Sequence, residues 1–257
     1  MYLNKSRTPV RKQRTPKWPF VVVAVFVVAI LAGAFLIVNR GGKKDNPDTA
    51  KAKTVQAFNK QQYPLDDPAS AWVVVNKLRA LNPKTYAPTN MVTPSLPTSG
   101  AEQVNAVTAD ALQKMANAAK TEGLTLTLES GYRSYDTQVS VYNSEVKAYG
   151  QAQADRESAR PGHSEHQSGW AADLGAGSGR CRVQLCFADT PEGKWLAANA
   201  YKYGFIIRYP KGKENVTGYE YEPWHVRYVG VELATEMHRV GTLTLEEFFG
   251  LPPAPNY

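Results

Sequence analysis

The stretch Ser164-Glu165-His166-Gln167-Ser168-Gly169-Trp170-Ala171-Ala172-Asp173 decides how this chain folds around its chemistry. Its imidazole and its carboxylate stand seven residues apart, too far to meet on one helical face across a single turn. If the chain turns at Gly169, His166 and Asp173 can converge on one cation. Trp170-Ala171-Ala172 then supplies the apolar run of a buried strand that carries Asp173 inward. A carboxylate left there without a partner is costly, and a metal ion offsets that cost.

A second stretch, Glu220-Tyr221-Glu222-Pro223-Trp224-His225, offers the missing donor. Glu222 and His225 lie three apart around a proline, which forbids a regular helix through the spot. His225 completes two histidines and one carboxylate, a catalytic zinc set that leaves the fourth position to water. Glu222 is close without needing to be a ligand. A carboxylate in that place can take a proton from water and later hand it to a leaving amine. Taken singly, each histidine would read as an ordinary core or surface residue; the spacing joins them. His238, beside Glu236 and Arg239, reads as a solvated helix residue with no role. His163 is either a further ligand or, as preferred here, part of the cleft mouth.

Outward from these stretches, the pattern alternates between helix and strand. Ala109–Thr121 carries Leu112, Met115, Ala116 and Ala119 at helical spacing, with Thr108 as N-cap and Gly123 as the stop. Leu124–Leu128 alternates strictly and reads as a strand with one buried face. Ser134 caps a helix over Tyr135–Ala148, stopped by Gly150. Thr190-Pro191-Glu192 starts another, which ends at Gly204. Phe205–Tyr209 and Trp224–Val229 read as strands, and Val231–Val240 as a closing helix. There is no clean βαβ alternation. The expected fold is α+β: a small single catalytic domain, residues 63–257, with a central antiparallel sheet flanked by helices.

The net charge of +7 suggests nucleic acid until its location is considered. Residues 1–44 hold nine Lys or Arg and no acid, so residues 45–257 carry only about −2. Such a body has no clustered cationic surface, and nucleic-acid binding is excluded as an expectation. The basic residues flank Phe20–Val38, nineteen residues without a charge, long enough to span a membrane as a helix. A cleaved signal peptide ending near Ala32-Gly33-Ala34 is the alternative, but Phe35-Leu36-Ile37-Val38 continues the apolar run past that point. Six basic residues precede the span and three follow it, which places a tail of residues 1–19 in the cytoplasm. The rest is then extracellular, with polar residues 39–62 as a linker that lifts the domain off the membrane. In that compartment Cys181 and Cys186, five apart, are expected as a loop disulfide, with free thiols as the alternative. The glycine-rich segment between Asp173 and Trp195, Gly175–Gly179 followed by this cysteine pair, is expected to form a flexible lip beside the metal, pinned by Cys181–Cys186.

Here the residues reach a resemblance. Ser164-x-His166-x-x-Gly169-x-Ala171-x-Asp173 is similar, at every fixed position, to the signature of the VanY-type D-alanyl-D-alanine carboxypeptidases. Glu222-Pro223-Trp224-His225 resembles the second motif of that group. Ser130-Gly131-Tyr132-Arg133-Ser134 and Tyr203-Gly204-Phe205 through Arg208-Tyr209-Pro210 are similar to its other conserved stretches. The resemblance runs from about Val73 to Gly250. It implies zinc on His166, Asp173 and His225, Glu222 as the base, and substrate contact by Arg133. A guanidinium suits that role on chemical grounds, because its fork of donors matches a carboxylate or a developing oxyanion. Gln138 and Ser164 are placed to bond the substrate amide.

The activity implied is removal of the terminal D-alanine from peptidoglycan stem peptides by a D,D-carboxypeptidase. An L,D-carboxypeptidase acting on tetrapeptide stems is one alternative. A wall-binding module that keeps zinc without catalysis is another, and the presence of Glu222 argues against it.

Overall fold

The structure, a computed structural model, describes residues 57–98 and 100–257. The expected cytoplasmic tail, membrane span and all but the end of the linker lie outside the described residues. No helix among the described residues is long and apolar enough to cross a membrane.

In chain order the elements are β1 (Met91–Val92), β2 (Val104–Asn105), α1 (Ala106–Thr121), β3 (Leu126–Ser130), α2 (Tyr135–Tyr149) and α3 (Gln151–Glu157). There follow β4 (Ala171–Ala176), α4 (Pro191–Asn199), β5 (Phe205–Ile207), α5 (Glu214–Thr217), β6 (His225–Tyr228), α6 (Val231–Val240) and α7 (Leu245–Phe249). Strands β3, β4, β6 and β5 form one four-stranded sheet in that order, every neighbouring pair antiparallel. The expected antiparallel α+β architecture is therefore present.

Side-chain alternation gives this sheet two different faces. Leu126 and Leu128 of β3, Ala172, Leu174 and Ala176 of β4, Phe205 of β5 and Val226 of β6 point one way. They pack with Leu112 and Met115 of α1 and with Leu196 of α4 into the largest apolar cluster. The residues between them (Asp173, His225 and Arg227) lie on the other face, which carries the chemistry. A second cluster, with Trp72, Ile206, Leu233, Met237 and Phe248, covers that side toward α6 and α7. Phe58 stacks on Trp72 with ring centroids 5.6 Å apart, so packing reaches back before Tyr63, where the sequence placed the start of the domain.

Several boundaries differ from expectation for local reasons. Helix α1 begins at Ala106 rather than Ala109, because Asn105 caps it: its side chain accepts from Val107 N at 3.0 Å. Thr108, the expected cap, is buried inside the helix. Strand β3 is shifted by two residues, since Leu124 N still donates to Ala119 O at 3.1 Å and closes the helix end. Ser134, Gly150 and Thr190 cap their helices as predicted, whereas α4 ends at Asn199 and Gly204 closes a following 3-10 turn, Ala200–Tyr203. The expected lip does not begin at Gly175. Gly175 lies within β4, where an added Cβ would come within 2.5 Å of Glu129 Oε1, so this glycine serves close packing.

Candidate active site

The short 3-10 turn Glu165–Ser168 ends at Gly169, whose φ of 75° is the left-handed conformation that glycine adopts without strain. That reversal sends Trp170 into β4 and turns His166 back across it. His166 Nε2 lies 3.4 Å from Asp173 Oδ2. Asp173 and His225 are direct cross-strand partners in the β4–β6 pair, and His225 Nδ1 lies 3.0 Å from Asp173 Oδ1. One ligating atom from each of the three residues falls within 4.8 Å of the others, and all three residues are buried. The sequence-predicted donors are thus brought together.

The outward ring nitrogens are occupied as metal ligands require. His166 Nδ1 donates to the Gly131 carbonyl at 2.7 Å, and His225 Nε2 faces Glu165 Oε2 at 3.4 Å. Each imidazole then turns its other nitrogen inward, toward Asp173. Two imidazoles and a carboxylate, buried and convergent, fit a tetrahedral divalent cation such as zinc.

Glu222 stands beside this cluster, its Oε2 3.6 Å from His225 Nδ1. Burial, reinforced by the nearby carboxylates of Asp173 and Glu165, pushes the Glu222 carboxyl up to about 8 against the pull of His225 and Arg133. Burial also opposes the charge on Asp173, but the His166 and His225 imidazoles outweigh it and hold that carboxyl well below the usual range. His225 is pushed up to about 10: burial lowers it, and hydrogen bonds to Asp173 and Glu165 more than compensate. Both upward shifts reflect carboxylates crowded into a buried site, and a cation placed among them would favour release of those protons.

Arg133 lies between β3 and α2, beside the cluster. Its backbone N–H donates to His166 O at 3.2 Å, and its guanidinium donates to Ser130 Oγ at 3.2 Å and Gln138 Oε1 at 3.1 Å. Gln138 also donates to Ala159 O at 2.7 Å, so its amide is engaged on both sides and braces Arg133. Arg133, Gln138, Ser164, Glu222 and the three donors line one cleft of about 760 Å³. Its outer rim includes Val183 and Leu185, held in a loop closed by the Cys181–Cys186 disulfide. The expected disulfide is therefore formed, and this loop is the lip. His163 is elsewhere: its Nδ1 donates to Asn76 O at 2.8 Å and its ring meets Tyr257 edge-on. His238 stacks on Tyr201 away from the cleft.

Sequence reasoning passed over Glu165, Arg208, Arg227 and Glu246, all buried behind His225. Charged residues are almost never fully buried unless paired, so each reads as surface when met singly. The available signal was their position: Glu165 inside the His166 motif, Arg208 in the similar stretch ending at Pro210.

Comparison with known proteins agrees with this geometry. The family described as VanY, D-alanyl-D-alanine carboxypeptidase, matches residues 101–231. A putative carboxypeptidase of Bacillus subtilis, YodJ, is 38% identical over 92% of this chain and 97% of its own length. A D-alanyl-D-alanine carboxypeptidase of Enterococcus faecalis is 37% identical over 58% of this chain and 57% of its own. Among solved structures, the LD-carboxypeptidase LdcB is 46% identical with a TM-score of 0.67, over 71% of this chain and 87% of its own. VanYB in complex with D-alanine-D-alanine is 31% identical with a TM-score of 0.59, over 69% of this chain and 96% of its own. A VanY from the VanB-type resistance cassette, in complex with Zn(II), is similar at 31% identity and a TM-score of 0.58 over 68% of this chain and 97% of its own. With a family match across the segment that holds every donor, and a relative aligned along nearly its whole length, this chain belongs to the VanY family of D-alanyl-D-alanine carboxypeptidases.

Proposed function

We propose that the chain is a zinc-dependent D,D-carboxypeptidase that releases the terminal D-alanine from peptidoglycan stem peptides. The observation that carries this reading is the buried convergence of His166, Asp173 and His225 in a cleft that also presents Glu222 and Arg133. Zinc, when bound there, supplies Lewis-acid polarisation of the scissile carbonyl and a water of lowered pKa. Glu222, adjacent to the donors without being one of the three, takes the proton of the attacking water and returns it to the leaving amine. Arg133, held open by Gln138 and Ser130, receives the free carboxylate of the terminal residue. Ser164, two residues before a donor and lining the same cleft, bonds the substrate amide.

The D-alanine assignment is supported by VanYB, which was captured with D-alanine-D-alanine. Cleavage after an L residue, in tetrapeptide stems, is a second reading favoured by one observation: the higher identity to LdcB, 46% against 31% for VanYB. Placement outside the cell, anchored through residues 20–38, remains part of the proposal on the strength of the uncharged span and its basic flanks.

Incubating the zinc-loaded full-length protein with pentapeptide and tetrapeptide muropeptides separates these readings. Release of D-alanine from the pentapeptide supports the D,D assignment, and release from the tetrapeptide alone supports the L,D one. Zinc bound with no release from either overturns both.

A further inference from the structure

Behind His225 lies a buried array of four charges, of which only Glu165 has so far been placed, at the outer nitrogen of His225. Glu165, Arg208, Arg227 and Glu246 are each no more than 1% exposed, two acids and two bases that cancel. They come from four separate places: the turn that carries His166, the end of β5, the middle of β6, and α7. Burying such an array is seldom the most stable solution, since well-packed apolar residues often do as well or better. Its retention in the centre of the molecule calls for another account, and the geometry supplies one.

Glu165 Oε1 accepts from Arg208 Nε at 2.8 Å and Arg227 Nη1 at 2.7 Å. Neither guanidinium is free to move. Arg208 is bidentate on Glu246, at 2.9 and 2.7 Å, and reaches Val75 O at 3.3 Å. Arg227 donates to Ala71 O and Val73 O, each at 2.8 Å, and to Tyr228 O at 3.0 Å. Glu246 is itself fixed by Asn76 Nδ2 at 3.0 Å. One carboxylate oxygen of Glu165 is therefore clamped, and the other, Oε2, points at His225 Nε2.

We infer that Glu165, clamped by Arg208 and Arg227, is a positioning residue that holds the His225 ring with Nε2 turned outward and Nδ1 turned toward Asp173 and a metal. A carboxylate at the outer nitrogen of a metal-binding imidazole fixes the ring's tautomer and orientation and raises its basicity as a ligand. The clamp adds a second effect: two guanidiniums on Oε1 stop the carboxyl group from rotating, so Oε2 cannot turn away from the ring. The inference rests on the proposed reading of His166, Asp173 and His225 as a metal site.

The test compares zinc affinity of the full-length protein and its Glu165→Gln variant by competition with a chromogenic chelator, with thermal unfolding measured alongside. Glu165→Gln is expected to bind zinc about 10- to 100-fold more weakly. Its kcat at saturating zinc should stay closer to the parent value than its affinity does. Unchanged affinity in a folded Glu165→Gln overturns the inference alone, whereas a parent protein that binds no zinc overturns the metal site as well. Glu165→Gln leaves one excess buried positive charge, so a Glu165→Gln/Arg227→Gln double variant, which restores the charge balance, serves if the single one does not fold.

Discussion

Asp173 and Glu222 are two buried carboxylates beside one imidazole, and their placement divides their roles. Asp173 lies between both histidine rings, at 3.4 and 3.0 Å, while Glu222 reaches only His225, at 3.6 Å. Replacing Glu222 by Gln should therefore preserve zinc binding while lowering D-alanine release by about 10²- to 10⁴-fold. Muropeptide turnover at saturating zinc checks this, and near-parental turnover would remove Glu222 from the chemistry. Arg133→Lys keeps the charge but loses the planar fork, so kcat/KM should fall by about 10- to 100-fold, the equivalent of one charged hydrogen bond. If KM and kcat are both unmoved, Arg133 does not touch the substrate. Asp173 and Glu222 were legible because their spacing carried a geometric statement, a turn at Gly169 and a proline at 223, whereas Arg133 was identified through the family resemblance. Glu165 was not, because nothing in its spacing announces that two arginines, 43 and 62 residues away in the chain, will close on it.

At the level of elements, the pattern located most helices and strands, and the errors are instructive. Apolar periodicity finds the middle of α1, but the cap is decided by which side chain reaches a free N–H, and Asn105 does so before Thr108 can. The alternation of Leu124, Leu126 and Leu128 is real, yet Leu124 belongs to the helix end because its N–H is taken by Ala119 O. The lip is the element whose conformation depends most on covalent restraint. Cys181 and Val183 both hold positive φ, 57° and 49°, which is costly for residues with a Cβ and worst for β-branched valine. By the chain-entropy estimate, opening so short a loop costs about 2 kcal/mol. A Cys181→Ser/Cys186→Ser variant should therefore unfold at lower temperature and show a raised KM, because Val183 and Leu185 line the cleft only while the loop is closed. Identical KM values for the parent and the variant would exclude the lip from substrate binding.

Across the whole domain, the two faces of the sheet divide stability from chemistry. The face packed on α1 and α4 holds the largest apolar cluster, and the face with Asp173, His225 and Arg227 holds charges that need partners. Removing the metal should thus be felt globally. At free zinc near 1,000 times Kd, binding contributes about 4 kcal/mol, so chelation should lower Tm and added zinc should restore it. A Tm indifferent to chelator would mean that the three donors do not hold a metal in the folded protein. The antiparallel α+β class was readable from the order of the patterns, whereas the buried charge array was not, since it exists only once β5, β6, α7 and the Glu165 turn are assembled.

The pairing of Asp173 opposite His225 has one further consequence. These residues are 52 apart in sequence yet locked as neighbours by backbone hydrogen bonds, and the loop at 181–186 takes no part in that pairing. The disulfide loop at 181–186 sits in that interval, outside the sheet's register. A reactive centre fixed by strand register and a rim closed by a disulfide are thereby separated along one continuous segment. New peptide preferences could then arise by replacing the rim loop alone, with the catalytic centre inherited intact.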